Sequence, residues 1–363
     1  MQGIHSMKNV IDILDIKVSR TPQSRLESTD FENLPFGRVF SDHMFTADFE
    51  DGEWKNFQIL PYGNIEISPA ASALHYGQAI FEGIKAYKQA DGRISIFRPY
   101  KNLERFNISA QRMAMPIIPE EIFMQGMQQL LEMDRDWVPS QEGYSLYIRP
   151  VMFATDPILG VHASSNYKFV ILIGPVGVYY AKPLKVKIET HYTRAVEGGV
   201  GYAKTAGNYA SSLLPTKLAQ QEGFDQLIWT DAKEHAYIEE SGTTNVMFVI
   251  NDTLITPSTR DSILDGVTRH SILDLARSWG MPVEERRVTV TEVIEAAQNG
   301  TLQDAFGAGT AATIAHIAEI TYEGKKYTLP EPSSRAFSNK ALQALKEIRY
   351  GLVPDPFGWN HLI

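Results

Sequence analysis

The chain of 363 residues contains no cysteine. Disulfides, zinc thiolates, thiol nucleophiles and thiol redox switches are therefore excluded. Long hydrophobic runs are also missing. The most apolar stretch, Phe169 to Val178, is interrupted by Gly174 and Pro175. It is too short to cross a bilayer and suits a buried strand. Positive charge is not in excess. The net charge is -9 and no long Lys/Arg run occurs, which argues against general nucleic-acid binding. The apolar N-terminal stretch Val10 to Ile16 carries Asp12 and Asp15, with no small-residue cleavage site after it. Neither a secretory signal nor a transit peptide is expected, and no membrane association. There is no internal repeat or low-complexity tract. A Gly-x-Ser-x-Gly elbow is absent, which disfavours a serine hydrolase.

What is present is an ordinary globular composition, 44% apolar and 21% charged. The length fits two domains better than one. Residues 1–30 read as weakly structured. Residues 31–174 read as an α+β domain, with strands within 37–67, 94–97, 145–152 and 168–174 and helices over 102–115 and 120–133. Residues 175–183, punctuated by Gly and Pro, read as a linker. Residues 184–363 form the second domain, with strands at 186–190, 225–230, 237–240 and 245–250. Its helices are expected over 208–221, 267–279, 290–298 and 333–350.

One lysine stands out. Lys204 lies in Gly-Val-Gly-Tyr-Ala-Lys-Thr-Ala-Gly-Asn-Tyr (199–209) and is the only charged residue between Glu197 and Lys217. An ammonium in poorly solvated surroundings loses affinity for its proton. An amine tuned that way can condense with an aldehyde, of which pyridoxal phosphate is the commonest. That cofactor needs an acid beside its ring nitrogen, a phosphate cradle and anchors for substrate carboxylates. Glu240, at a strand end before Ser-Gly-Thr-Thr-Asn, is the candidate acid, and Glu239 should face the opposite side. Two small-residue turns are candidate cradles, Asp265-Gly-Val-Thr268 at a helix start and Phe306 to Ala312. Arg105 could add a fixed charge there. Tyr147 and Arg149, two apart on one strand, share a face and together make an anion receptor.

These residues fall within longer motifs. They are Phe36-Gly-Arg-Val-Phe-Ser-Asp-His-Met44, Leu74-His-Tyr-Gly-Gln-Ala-Ile-Phe-Glu-Gly-Ile-Lys-Ala86, Leu146-Tyr-Ile-Arg-Pro150, the Lys204 loop, Glu240-Ser-Gly-Thr-Thr-Asn245 and Gly307-Ala-Gly-Thr-Ala311. Together the chain resembles the branched-chain amino acid aminotransferases, from about Phe36 to Gly351. The order also resembles them, with the acid after the lysine. The resemblance implies a mixed α+β and α/β, two-domain enzyme of fold-type IV, with a smaller N-terminal domain and a larger one built on a barrel-like mixed sheet. It implies pyridoxal 5'-phosphate as cofactor, a cytoplasmic homodimer, and branched-chain L-amino acids, 2-oxoglutarate and glutamate as substrates.

The resemblance also implies roles. Lys204 would carry the Schiff base, Glu240 would pair with the ring nitrogen, and Tyr209 would bond the phenolic oxygen. Leu264 would lie against the ring. Arg105, Gly266, Val267, Thr268, Gly309 and Thr310 would hold the phosphate end, with Thr243 also beside cofactor and substrate. Phe36, Tyr76, Phe81 and Tyr179 would line the side-chain pocket. Tyr147 with the backbone of Thr310 and Ala311 would take the α-carboxylate, and Arg149 the distal one. Part of each pocket would come from the neighbouring subunit. Mammalian members carry a Cys-x-x-Cys pair where this chain has Ala312 and Ala315, so that redox control is absent. Within the same fold class, a D-amino acid aminotransferase and an aminodeoxychorismate lyase are the alternatives. From outside it, a non-catalytic cofactor-binding protein is the alternative.

Overall fold

A computed structural model describes residues 13–179 and 182–363. The first half is one large sheet. Its strands run, edge to edge, Lys17–Val18, Glu53–Pro61, His43–Glu50, Tyr167–Val176, Ser145–Ala154, Ile84–Lys88, Ile94–Phe97 and Asn360–Leu362, with Ala79–Phe81 also paired to Ser145–Ala154. Helices Pro99–Arg112 and Glu120–Met133 are held against it through Phe106, Phe123, Met127 and Leu130, which join Phe45, Phe169 and Ile171 in one core.

The second half closes on itself. Strands Leu184–Ile188, Gln226–Thr230, Tyr237–Ser241, Thr244–Ile250, Leu302–Gly309 and Thr313–Tyr322 pair in a ring, because Thr313–Tyr322 returns to lie parallel to Leu184–Ile188. The period-two rule sorts the residues of Thr244–Ile250. Val246, Phe248 and Ile250 join the cluster shared by the ring's strands. Met247 and Val249 join another, under helices Val267–Ser278 and Ala336–Arg349. The mixed two-part architecture with a barrel-like sheet agrees with the expected fold class.

Several expected boundaries move. The helix expected over 102–115 begins at Pro99 and ends at Arg112; Ala114 then takes a left-handed conformation, φ 53°. The helix expected over 208–221 divides into Ala206–Ala210 and Leu213–Gln221. Proline cannot sit in a helix interior, because its ring meets the carbonyl of the residue four before it and its nitrogen donates nothing. Pro215 is instead in the first turn of the second piece, where no such bond is needed. The stretch 306–312, read as a turn, is strand up to Gly309 and turn only at 310–312. The strand Tyr167–Val176 runs two residues beyond 174 into the expected linker, of which residues 180–181 lie outside the described residues. The expected weak structure of residues 1–30 falls partly outside them as well; from Ile13 on, Lys17–Val18 adds a short edge strand. Among the described residues no helix is long and apolar enough to cross a membrane.

Candidate active site

The Lys204 segment is held by its neighbours rather than by regular structure. Asn208 donates from Nδ2 to the carbonyls of Val200 and Ala203, each at 2.8 Å, which curls the loop. Gly201 lets it close: a Cβ there would lie 2.6 Å from both Ala195 Cβ and Ser262 Cα. The segment then lies along Ala79–Phe81 like a further strand. Thr205 bridges Ile80, and Lys204's carbonyl accepts from Phe81 N–H at 3.0 Å. Ser109 Oγ accepts Lys204's own N–H at 2.9 Å. A rigid backbone thus aims a flexible side chain.

That side chain ends in a cavity of about 430 Å³, within the usual range for small-molecule sites. Lys204 Nζ donates to Tyr209 Oη at 2.8 Å and lies 4.9 Å from the centre of the Phe81 ring. Around them the cavity collects Phe36, Arg105, Tyr147, Arg149, Tyr179, Glu240, Thr243, Leu264, Gly266, Val267, Gly309, Thr310 and Ala311. Two expected residues are not among them. Tyr76 ends the short helix Ser72–Tyr76 and is exposed, away from this chain's cavity. Thr268 is buried in the first turn of helix Val267–Ser278 and borders a small adjoining space with Thr310.

Glu240 is buried, not solvated. One oxygen accepts Leu264 N–H at 2.7 Å, and the other lies 3.3 Å from Arg194 Nε. Burial pushes its carboxyl above the ordinary range, and the Arg194 charge opposes that rise. Glu239 turns the other way, to Ser262 Oγ, as alternation requires. Arg105 is buried too. Its Nε and Nη2 grip both oxygens of Glu82 at 2.7 and 2.8 Å, and its Nη1 donates to the Asp265 carbonyl at 2.9 Å. Asn102 adds a third bond to Glu82 at 2.8 Å. Burial opposes ionisation of Glu82, yet Arg105's charge holds its carboxyl below the ordinary value.

Tyr147 and Arg149 share a face, and Arg149 Nη2 donates to Tyr147 Oη at 3.0 Å. Phe36 meets Tyr147 and Tyr179 edge-on, with centroids 4.9 and 4.8 Å apart. The charges are instructive. Arg105 and Arg194 face carboxylates, whereas Lys204 and Arg149, among the described residues, form no ion pair. Gly266 and Val267 border the cavity at the start of helix Val267–Ser278, and a helix start favours an anion. The cavity therefore offers positive charge not matched by an ion pair at Arg149 and positive potential at the helix start. Sequence reading missed Glu82 and Arg194. Glu82 lies inside the Phe-Glu-Gly motif, and its only signal was a lone acid in an otherwise apolar, small-residue run.

Known proteins extend this geometry. The amino-transferase class IV family profile matches residues 79–320. A branched-chain-amino-acid transaminase of Bacillus subtilis is 46% identical, covering 92% of this chain and 95% of its own length. A second from the same organism, a branched-chain-amino-acid aminotransferase, is 45% identical over 91% of this chain and 92% of its own. The fold matches the branched-chain aminotransferase of Thermoproteus uzoniensis with norvaline, at TM-score 0.72 and 24% identity over 88% of this chain and 99% of that one. It also matches the branched-chain amino acid aminotransferase of Thermobaculum terrenum in its PLP-bound holo form, at TM-score 0.69 and 23% identity over 90% and 99%. The cavity around Lys204 thus sits in a chain that belongs to the class IV aminotransferases, in the family of the branched-chain amino acid aminotransferases.

Proposed function

We propose that the chain is a branched-chain amino acid transaminase. It moves the amino group of leucine, isoleucine or valine to 2-oxoglutarate, giving the branched 2-oxo acid and glutamate. Pyridoxal 5'-phosphate, when bound, supplies the aldehyde and the electron sink. The residues present fit that group: an amine and a phenol 2.8 Å apart, a buried carboxylate, and a helix start lie around one cavity. Lys204 Nζ would hold the cofactor through its aldehyde and would serve as the base and acid for the proton at the substrate Cα. Tyr209 would hold the phenolic oxygen. Glu240, buried and backed by Arg194, would keep a proton on the ring nitrogen, and Leu264 would lie against the ring. Arg105, Gly266, Val267, Thr268, Gly309 and Thr310 would hold the phosphate, with Thr243 beside them. Phe36, Phe81 and Tyr179 accept the apolar branch. Tyr147 and the turn at Thr310 and Ala311 take the α-carboxylate, and Arg149 the distal carboxylate of the glutamate pair. One pocket thereby serves both partners.

We assign residues 31–174 and 184–363 to the small and large domains, save that strand Asn360–Leu362 returns to the small domain's sheet beside Ile94–Phe97 and strand Tyr167–Val176 extends it to residue 176. The reading includes a cytoplasmic homodimer. Exposed Ile158, Leu159 and Val161, close together on one loop, support a contact between subunits, as does exposed Leu74 beside Tyr76. Tyr76 then belongs to the shared boundary rather than to its own chain's cavity.

The observation that carries the reading is the Lys204–Tyr209 pair facing buried Glu240. Its test is Lys204→Ala. The variant should bind cofactor without the visible absorbance of the lysine-linked form and should lose turnover, by at least about a thousandfold. Turnover retained in a clean preparation would contradict the assignment.

A further inference from the structure

A second cavity, of about 320 Å³, lies behind the turn at Ala311 and Ala312, which walls both spaces. Two buried cations border it. Arg349, in the last turn of helix Ala336–Arg349, is 4% exposed, and Lys85 is 8% exposed. Arg349 Nη1 donates to Thr313 Oγ1 at 2.7 Å, but its Nε is buried without a partner. Lys85 Nζ donates to the Ala311 carbonyl at 2.8 Å. Ser145 Oγ, also buried on this wall, has no partner. Among the described residues no aspartate or glutamate lines the cavity. Val178, Ile314 and Leu342 supply an apolar side.

Buried cations are normally matched by an anion, because desolvating a charge costs more than a neutral contact returns. Here the neutral contacts are one carbonyl, the hydroxyls of Thr313 and Tyr87, and the faces of Phe97 and Tyr87. The helix end at Arg349 offers only partial negative charge. With no anion at hand, burial first and the Arg349 charge second depress Lys85 to about 7. The Arg349 guanidinium and the Lys85 amine border one space, and a carboxylate there would match the guanidinium and hold the proton on the amine. Lys346, also on the wall, is already paired with Glu142. Among the described residues the two buried cations have no acid of their own and repel an ammonium, so an amino acid is disfavoured. The apolar wall favours a short hydrocarbon tail over an inorganic anion.

We propose that this cavity is a second binding site, distinct from the Lys204 cavity, for a small organic carboxylate that carries an apolar tail and no amino group. It extends the reading above, since such acids include branched 2-oxo acids, but binding here does not depend on that reading. Isocaproate, which has neither an oxo nor an amino group, is the probe, titrated calorimetrically into the holoenzyme. Two sites per chain are expected. Arg349→Gln should weaken one of them by about tenfold or more and spare the other. Leu342→Trp, which fills the space from its apolar wall, should remove the same site and guards against a misfolded Arg349 variant. Finding no site in the wild-type holoenzyme that both Arg349→Gln and Leu342→Trp weaken, whether one site or two are seen, overturns the proposal. So does inorganic phosphate filling the Arg349-dependent site as tightly as isocaproate. Loss of transamination in the wild type with two sites retained would refute the activity and leave this site standing.

Discussion

Glu82 has no solvent exposure and is nonetheless held ionised, because Arg105 meets both its oxygens and Asn102 and the Gly83 N–H add to them. Its task is to fix the guanidinium that borders the cavity. Breaking a buried pair leaves an uncompensated charge, at about 3–5 kcal/mol. Glu82→Gln should therefore lose roughly that much stability at neutral pH by denaturant unfolding. The sign with pH follows from the lowered carboxyl. Its contribution is complete above the ordinary value of 4.5 and is lost as pH falls through the lower folded value. The gap between wild type and variant should narrow in acid; an equal gap at both pH values would contradict the account. Lys204, Tyr147 and Arg149 were legible because their residue types are chemically unusual for their surroundings. Glu82 and Arg194 were not, since a charge becomes meaningful only when its partner, distant in sequence, is known. A glutamate at a strand end is ordinarily solvated, and only burial sets Glu240 apart.

At the level of elements, clean periodicity was readable and chain crossings were not. Glu120–Met133 is bounded as expected, because its apolar residues recur at helical spacing and two glutamates occupy the first turn. The strand at 302–309 was hidden by its small residues. They are small because Thr244 on the paired strand comes close: a Cβ at Gly307 would lie 2.4 Å from its Oγ1. Leu184–Ile188 meeting Thr313–Tyr322 in parallel, and Asn360–Leu362 joining the first sheet, are long-range pairings without a local signal. Close approach also governs the step from Ala79–Phe81 to Ile84–Lys88. A Cβ on Gly83 would fall 2.2 Å from Tyr147 Oη. Gly83→Ala should displace Tyr147 and with it the Arg149 contact. We expect KM for glutamate to rise about tenfold or more, with a smaller change for leucine. Unchanged KM values for both would show that Tyr147's position is immaterial.

For the whole molecule, the cavity lies where the first sheet and its helices, which contribute Phe81, Arg105, Tyr147 and Arg149, meet the closed barrel's strands and turns, which contribute Glu240, Thr243 and Gly309. The fold class, barrel-like sheet included, was legible through the family resemblance that the motifs carry, whereas the strand order that closes the ring required the structure. One surface feature belongs to this scale. Val161 is 90% exposed beside Leu159 at 67%, and such apolar exposure marks an interaction surface. On the proposed homodimer, Val161→Glu should shift the mass toward that of a monomer by light scattering; an unchanged dimer mass would place the contact elsewhere, and a monomeric parent protein would refute the dimer. The central claim is that Lys204 and its neighbours hold a cofactor that accepts an amino group from a branched L-amino acid. The most direct measurement is the visible spectrum of the purified holoenzyme before and after L-leucine is added, with no 2-oxo acid present. The account predicts that the lysine-linked cofactor band disappears as the amine form of the cofactor appears, and that 2-oxoglutarate then restores it. A spectrum unmoved by L-leucine would contradict it.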